Sequence, residues 1–176
     1  MDMLLGFLRQ QETNSSLIWL LNHLIYLVPK SKLAVSLTVE GEGAAQDLLS
    51  AYARGVRHFP GSSLVKAEFS LVQLPHIVLT GAKLSGINLW ATNLTGADLR
   101  YTELSGADLS IANLTGSNLT GANLSDASLI GTNLTGATLR DTCLRNSNLS
   151  GAILRDADLT GTDLQGAVVN NIRRDF

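Results

Sequence analysis

The chain contains few of the residues that catalytic and metal-binding proteins use. Its 176 residues include one cysteine and three histidines. A single cysteine, Cys143, excludes an internal disulfide framework and a thiolate metal cluster. His23, His58 and His76 are far apart in sequence and form no HxH or HxxxH pattern. We therefore expect no catalytic, cofactor-binding or metal-binding residues.

Charge is also scarce. Charged residues make up 16% of the chain and the formal net charge is −2, where about 25% charged residues is usual. From Phe59 onward there are ten acidic and eight basic residues. This balance provides neither a basic footprint for nucleic acid nor a strongly acidic surface. The composition therefore predicts no nucleic-acid partner.

Leucine, in contrast, is abundant and strictly periodic. It occupies every fifth position from Leu79 to Leu164, eighteen times without a miss. Two residues before each Leu stands Ala, Ser or Thr, except at Ile77 and Ile87. A helix repeats every ~3.6 residues and a strand every 2, so neither keeps a five-residue stripe on one face. The chain must turn once per unit, which predicts a solenoid with Leu inside.

The period alone does not give the number of sides of each coil. Three, four or five units per turn would all align Leu over Leu. Asn93, Asn113 and Asn133 recur at twenty residues, which favours four sides. The glycines recur at multiples of five and suit corners that need unusual backbone angles.

The unit A-D/N-L-x-x, seen at Ala97-Asp98-Leu99, Ala122-Asn123-Leu124 and Ala157-Asp158-Leu159, resembles the pentapeptide repeat proteins. The resemblance implies an all-β solenoid, a right-handed quadrilateral parallel β-helix. Extending the register from Phe59 to Val169 gives twenty-three units, a rod about 27 Å long at ~4.8 Å per coil. We expect a repeat domain at 59–169 and a C-terminal tail at 170–176.

Residues 1–58 break the five-residue rule and form the expected N-terminal segment. The apolar residues 17–28 predict a helix, which is too short to span a bilayer. Residues 32–40 alternate and predict a strand. Residues 44–54 predict a capping helix that ends at Gly55. The stretch from Leu48 to Phe59 resembles the helical lead-in of cyanobacterial pentapeptide repeat rods.

The two ends of the chain leave alternatives open. We favour residues 17–28 packing on their own rod in a cytoplasmic protein. The alternatives are dimerisation, membrane association through 17–28, or a place in the thylakoid lumen. At the C-terminal end, Val168, Val169, Ile172 and Phe176 predict either a folded-back plug or a dimer contact. The expected state is a monomer or a weak homodimer.

Outward positions that break the polar pattern are the candidate functional residues. In a four-sided coil Trp90, Ser110 and Ile130 share a face, and Ile111 and Tyr101 are expected at nearby corners. An exposed apolar stripe predicts a protein contact; cover by the N-terminal segment, or no role, are the alternatives. The four outward arginines, Arg100, Arg140, Arg145 and Arg155, have two interpretations. They form a solvated face and pair with Asp141 and Asp156, or they form a site for an acidic partner. The candidate protein-interaction surface comprises Trp90, Tyr101, Ile111, Ile130, Arg100, Arg140, Arg145 and Arg155.

These features predict a non-catalytic scaffold that binds an unidentified protein partner, with regulation as one hypothesis for its role. The family resemblance adds a second hypothesis, a DNA mimic that modulates a type II topoisomerase, as in the quinolone-resistance branch. The short rod and the near balance of acidic and basic residues weigh against it. A membrane-associated or lumenal structural protein is a third hypothesis, resting on residues 17–28. An enzyme is disfavoured because no nucleophile has a base and an orienting group.

Overall fold

The backbone coils with a period of twenty residues. A computed structural model describes residues 38–41 and 43–174. Twenty parallel β-bridges each join one residue to the residue twenty positions later, from His58 with Val78 to Ile153 with Arg173. Twenty residues are four five-residue units, so each coil has four sides. The predicted solenoid is confirmed, and four is the number of sides.

We name the four faces after their central residues in the second coil: face A carries Leu79, face B Leu84, face C Leu89 and face D Leu94. The six coils are residues 57–76, 77–96, 97–116, 117–136, 137–156 and 157–174. Within the described ranges, each side contributes one bridged residue and no longer strand. A residue therefore shares its face with those twenty positions away.

A tight turn follows every central leucine. In the second coil the Ala82 N–H donates to the Leu79 carbonyl at 2.9 Å, and Gly81 between them has a φ of +66°. A positive φ at the third position of a four-residue turn favours glycine. The turn rotates the chain onto the next face, which is how a five-residue period returns each leucine to the interior.

The interior is a stack of buried leucines with small residues between them. Leu84, Leu119 and Leu149 are fully buried. Three inward threonine hydroxyls find backbone partners: the side chains of Thr92, Thr132 and Thr142 donate to carbonyls of the preceding coil at 2.6–2.8 Å. A hydroxyl that is bonded in this way costs the core little, whereas the buried Ser117 Oγ has no partner.

Some corners carry a side chain instead of glycine. Tyr101 has a φ of +58°, and its ring lies over Gly121, the same corner of the next coil. A Cβ at Gly121 would come within 2.7 Å of two ring carbons, closer than van der Waals contact allows. The His76 ring lies over Gly96 in the same way. At these two corners the ring leaves room only for glycine one coil later.

One helix precedes the coils. α1 spans Ala44–Ala53, one residue shorter than the helix that the sequence predicts at 44–54. Leu48 is fully buried and belongs to the same apolar cluster as Phe59 of the first coil. The Tyr52 hydroxyl donates to the Pro75 carbonyl at 2.7 Å. The Arg57 guanidinium lies 3.8 Å from the Tyr52 ring centroid, so the end of α1 is tied to the first coil.

Residues 38–40 add a short piece to the same end of the rod. The Ser63 N–H donates to the Val39 carbonyl at 2.8 Å, and the Val39 N–H donates to Ser62 Oγ at 3.0 Å. Val39 is fully buried. The rest of the strand predicted at 32–40 and the helix predicted at 17–28 lie outside the described residues. Among residues 38–41 and 43–174, no helix is long and apolar enough to cross a membrane.

Among the residues that the structure describes, the C-terminal end of the rod is open. Leu164 and Val169 occupy core positions of the sixth coil, yet they are 40% and 44% exposed. The Gly151 N–H donates to the Asn170 carbonyl at 2.8 Å and the Leu154 N–H to the Arg173 carbonyl at 2.7 Å, so residues 170–171 complete face C and residues 172–174 continue face D. Residues 170–174 therefore extend the coil and do not fold back over its end as a plug; Phe176 lies outside the described residues.

Candidate protein-interaction surface

A row of large apolar side chains follows the corner between faces C and D. One such residue lies in each of the first four coils. Leu71 and Ile111 are corner residues with φ near +60°, and Trp90 and Ile130 come directly before that corner. We call these four residues the apolar edge: Leu71, Trp90, Ile111 and Ile130.

Backbone hydrogen bonds place these residues beside one another. The Leu71 N–H donates to the Trp90 carbonyl at 2.9 Å, and the Ile111 N–H donates to the Ile130 carbonyl at 2.8 Å. Their exposed fractions are 64% for Leu71, 39% for Trp90, 59% for Ile111 and 43% for Ile130. A contiguous exposed apolar patch of this kind marks an interaction site more often than isolated apolar residues do.

The coil itself does not need apolar residues at these positions. On face D the residues equivalent to Trp90 and Ile130 are Thr95, Thr115 and Thr135. Their hydroxyls each donate to an Asn side chain at 2.7 Å. The turns that contain these threonines therefore form without an outward apolar side chain. Exposing large apolar groups to water gains nothing for folding. The stability of the coil therefore does not account for the apolar edge.

Face C is also the face without cations. From Arg57 onward, every lysine and arginine lies on face A, B or D or at the corner that follows it. Face C carries two outward carboxylates, Glu68 and Asp108. Asn88 Nδ2 donates to Glu68 Oε2 at 2.7 Å, and the Ser110 N–H donates to Asp108 Oδ1 at 2.9 Å. The apolar edge is thus flanked by negative charge.

The predicted arginines lie on other faces. Arg100 pairs with Asp98 at 2.6 Å and Arg140 with Asp158 at 3.0 Å, both on face A. Arg145 pairs with Asp163 on face B at 2.6 Å. Arg155 lies on face D. The sequence prediction that Asp141 and Asp156 serve as partners is wrong for Arg140 and Arg145, because the partners come from the bridge position of the following coil.

Hydrogen bonds hold these aspartates as anions. The Arg100 side chain lowers the pKa of Asp98. The Thr160 hydroxyl is the main group that lowers the pKa of Asp158, and the Gln165 backbone N–H is the main one for Asp163. The three arginine side chains are about half exposed, and ion pairs exposed to water contribute little to stability. They are solvated surface pairs.

Tyr101 is separate from the apolar edge. It lies at the corner between faces A and B, diagonally opposite the corner of Leu71 and Ile111, and is 61% exposed. Its expected place near Ile111 is therefore wrong, because ten residues are half a coil. Leu71, in contrast, is a member of the edge that the sequence reasoning missed. Its spacing of forty residues from Ile111 was the available signal.

No group of metal-binding side chains occurs in the described part of the chain, residues 38–41 and 43–174. Cys143 is a half-buried bridge residue on face B, between Asn123 and Asp163 of the neighbouring coils.

A four-sided parallel β-helix with twenty residues per coil defines a class of solenoid proteins. The family model described as pentapeptide repeats (8 copies) matches residues 73–110, 112–146 and 132–171. The chain belongs to the pentapeptide repeat family, whose coil is a right-handed quadrilateral β-helix. No curated protein matches the chain.

Several solved structures are similar. A pentapeptide repeat protein from the thylakoid lumen of Arabidopsis thaliana has 34% identity and a TM-score of 0.54, over 55% of this chain and 68% of that one. Rfr23 from the cyanobacterium Cyanothece has 29% identity and a TM-score of 0.44, over 74% and 99%. QnrB1, a plasmid-mediated fluoroquinolone resistance protein, has 20% identity and a TM-score of 0.50, over 66% and 72%. The last likeness shows the fold alone.

Proposed function

We propose that the protein is a non-catalytic scaffold that binds another protein through the apolar edge. One observation carries this proposal: four large apolar side chains line one corner of four consecutive coils, where the fold accepts polar residues. Because the rod is rigid, its backbone loses little conformational entropy when a partner binds to this row. Trp90 is the expected anchor, since aromatic residues dominate the energetics of protein contacts.

Tyr101 and the four arginines have a weaker case as parts of the same surface. They lie on different faces or corners, and three of the arginines are engaged with aspartates of their own rod. The DNA-mimic alternative gains no support from these contacts, because arginines neutralise outward aspartates on faces A and B. We place the protein in the cytoplasm as a proposal; the thylakoid lumen is the location of the Arabidopsis relative.

We propose that α1 and residues 38–40 cap the N-terminal end of the rod. An uncapped end would expose Phe59 and unpaired strand edges, which invite self-association. Buried Leu48 and Val39 and the bond from Tyr52 to Pro75 support this role.

Leu48→Asp is expected to detach α1, because an unpaired carboxylate cannot remain in the apolar cluster. The variant should form larger oligomers than the native chain does at the same concentration. Light scattering after size-exclusion chromatography measures the molar mass of both. Gln46→Asp, on the exposed side of α1, is the matched control. If both variants elute like the native chain, α1 is not a cap.

The proposed binding function is tested by capture from an extract of the source cells. Trp90→Ala combined with Ile130→Ala removes most of the apolar surface of coils two and four. We expect at least a tenfold loss of the specifically captured partner, since anchor residues contribute about 2 kcal/mol or more each. Quantitative mass spectrometry of the captured proteins gives the ratio.

The control for this experiment is Tyr101→Ala, which removes an equally exposed aromatic side chain from the opposite corner. It should capture the partner at the native level. Equal yields from the native protein and the double variant would exclude the apolar edge as the binding surface. A loss confined to Tyr101→Ala would move the site to the corner between faces A and B.

A further inference from the structure

We propose that the partner binds the apolar edge with an amphipathic α-helix of three to four turns, which lies along the rod and carries basic residues on the flank that meets face C. This rests on the proposed function, because it names the chemistry of the partner at the same surface. Amphipathic helices bind other proteins through apolar anchors spaced at i, i+4, i+7 and i+11. The spacing of the edge, its relief and the charge beside it all match such a helix.

The spacing of the edge distinguishes a helix from an extended chain. From Leu71 to Ile130 the four large side chains span three coil spacings, about 14 Å. Four apolar residues on one side of a helix span eleven residues of rise, about 16 Å. Four residues on one side of a strand span about 20 Å. A helix laid along the rod therefore differs from the edge by about 2 Å over its whole length, whereas a strand differs by more than one coil spacing.

The edge has a relief of alternating large and small side chains. In coils one and three the large residue stands at the corner and a serine precedes it; in coils two and four the large residue comes one position earlier and is followed by Ala91 or Gly131. Each large side chain thus lies beside a small residue of a neighbouring coil. Ile111 Cγ1, for example, lies 3.9 Å from the position that a Cβ would take at Gly131. Helices pack by fitting ridges of side chains into such grooves.

The row ends after the fourth coil, which limits the length of the bound helix. The equivalent positions of the fifth coil hold Ser150 and Gly151, and those of the sixth hold Asn170 and Asn171. A helix with one apolar anchor for each of four coils needs about twelve residues. A longer apolar stripe would extend beyond the edge and gain no apolar contact there.

Two carboxylates beside the edge determine the charge of the helix. The exposed Glu68 and the half-buried Asp108 are the bridge residues of face C in coils one and three. Each lies two residues before the position of Trp90 in its coil, about 7 Å along the backbone, and the two are two coil spacings apart, about 10 Å. Helix residues seven positions apart are also separated by about 10 Å. A lysine or arginine at two such positions would lie opposite both carboxylates.

An acidic helix would find no compensating charge at this site. In the first four coils neither face C nor face D carries a lysine or arginine. Lys66 lies at the other corner of face C, with its Cγ 3.4 Å from the position of a Cβ at Gly86. On face D the bridge residues are uncharged amides, and Asn93 Nδ2 donates to Gln73 Oε1 at 2.9 Å. The charge beside the edge therefore selects a basic flank towards face C and accepts a neutral polar flank towards face D.

Three fifteen-residue peptides test the proposal against the purified full-length chain by fluorescence anisotropy. The basic peptide has leucines at i, i+4, i+7 and i+11 and two arginines seven positions apart on one flank. A hydrocarbon staple on the opposite side holds the helix, which a free peptide of this length would not keep in water. The acidic peptide has glutamate in place of both arginines. The third peptide has the arginines but two central prolines and no staple, so it cannot form the helix.

We expect the basic peptide to bind the native chain with a Kd in the micromolar range, at least tenfold tighter than either of the other two. Trp90→Ala combined with Ile130→Ala should weaken it at least tenfold, because the anchors are lost. Glu68→Gln combined with Asp108→Asn should weaken it about threefold to tenfold at low salt, and less at high salt, where exposed charges are screened.

The matched control is Glu103→Gln combined with Asp158→Asn, which removes the same charge from faces B and A. Glu103 is a bridge residue like Glu68 and accepts from Asn123 Nδ2 at 3.2 Å. At the Asp108 position of its turn an asparagine makes the same bond, as Asn93 Oδ1 does with the Thr95 N–H at 3.0 Å, so both pairs of substitutions should leave the coil intact. The control variant should bind the basic peptide as the native chain does.

Equal affinity for the basic and acidic peptides, or an equal loss in both charge variants, would overturn the basic flank. Equal affinity for the stapled and proline-containing peptides would overturn the helix. Absence of binding by the basic peptide would overturn the proposal as a whole, including the case in which light scattering shows copies of the chain associating through Trp90 and Ile130. The proposed function is tested separately, because capture of the cellular partner and its loss in the Trp90→Ala/Ile130→Ala variant do not depend on any peptide.

Discussion

Leu119→Asp is expected to unfold the entire rod under conditions in which the native chain is folded. Leu119 is fully buried in the fourth of six coils. Removing a buried leucine costs about 2–5 kcal/mol, and an unpaired buried carboxylate adds several more. The sum approaches the roughly 5–15 kcal/mol that stabilises a typical domain. Each coil contacts only its neighbours, so a break in the middle leaves two short stacks.

Circular dichroism and calorimetry measure this effect, with Asn118→Asp as the matched control. Asn118 is the adjacent outward residue, and its Oδ1 accepts from the Thr120 N–H at 3.0 Å. A carboxylate makes the same bond at Asp108 and Asp158. The control should melt within a few degrees of the native chain. A soluble Leu119→Asp variant with an unchanged melting temperature would refute the assignment of the core.

The interior could be predicted from sequence because one side chain repeats without exception. A period of five is incompatible with an uninterrupted helix or strand, so the turn after each leucine follows from geometry alone. The four-sided coil did not follow, because polygons with three or five sides align the leucines equally well. Pairing between residues twenty apart, such as the bridge between Val78 and Asp98 on the next coil, determines it.

The candidate surface was only partly predictable for the same reason. Trp90 and Ile130 are forty residues apart and align in a four-sided coil, so their pairing was found. Tyr101 and Ile111 both follow a central leucine by two residues, and only the number of sides separates their corners. Leu71 was missed because it lies where the repeat is least regular. The aspartates that pair with Arg140 and Arg145 are determined by the direction in which the arginine side chains extend. The spacing of residues in the sequence does not predict that direction.

The repeat makes it possible to move the apolar edge without unfolding the rod. Deleting residues 97–101 removes one side of the third coil and preserves the spacing of leucines. Every later residue then shifts by a quarter turn relative to the coils before it. Ile111 and Ile130 move from the corner after face C to the corner after face B, away from Leu71 and Trp90.

The deletion is compatible with the corners on either side of it. The second coil has glycine at three corners and Ala91 at the fourth. After the deletion Ala91 lies below Gly116, so no bulky corner residue meets a Cβ in the next coil. The matched control deletes residues 132–151, a complete coil beyond the edge. It shortens the rod more, removes Arg140 and Arg145, and leaves all four apolar side chains aligned.

The most direct test of the proposed binding surface is therefore the amount of partner captured by these two deletion variants, once melting curves show that both are folded. We expect the 132–151 deletion to capture the partner at close to the native level. The 97–101 deletion should lose at least tenfold, because it divides the edge into two halves on different corners. Native-level capture by the 97–101 deletion, or loss only with the 132–151 deletion, would contradict binding through the apolar edge.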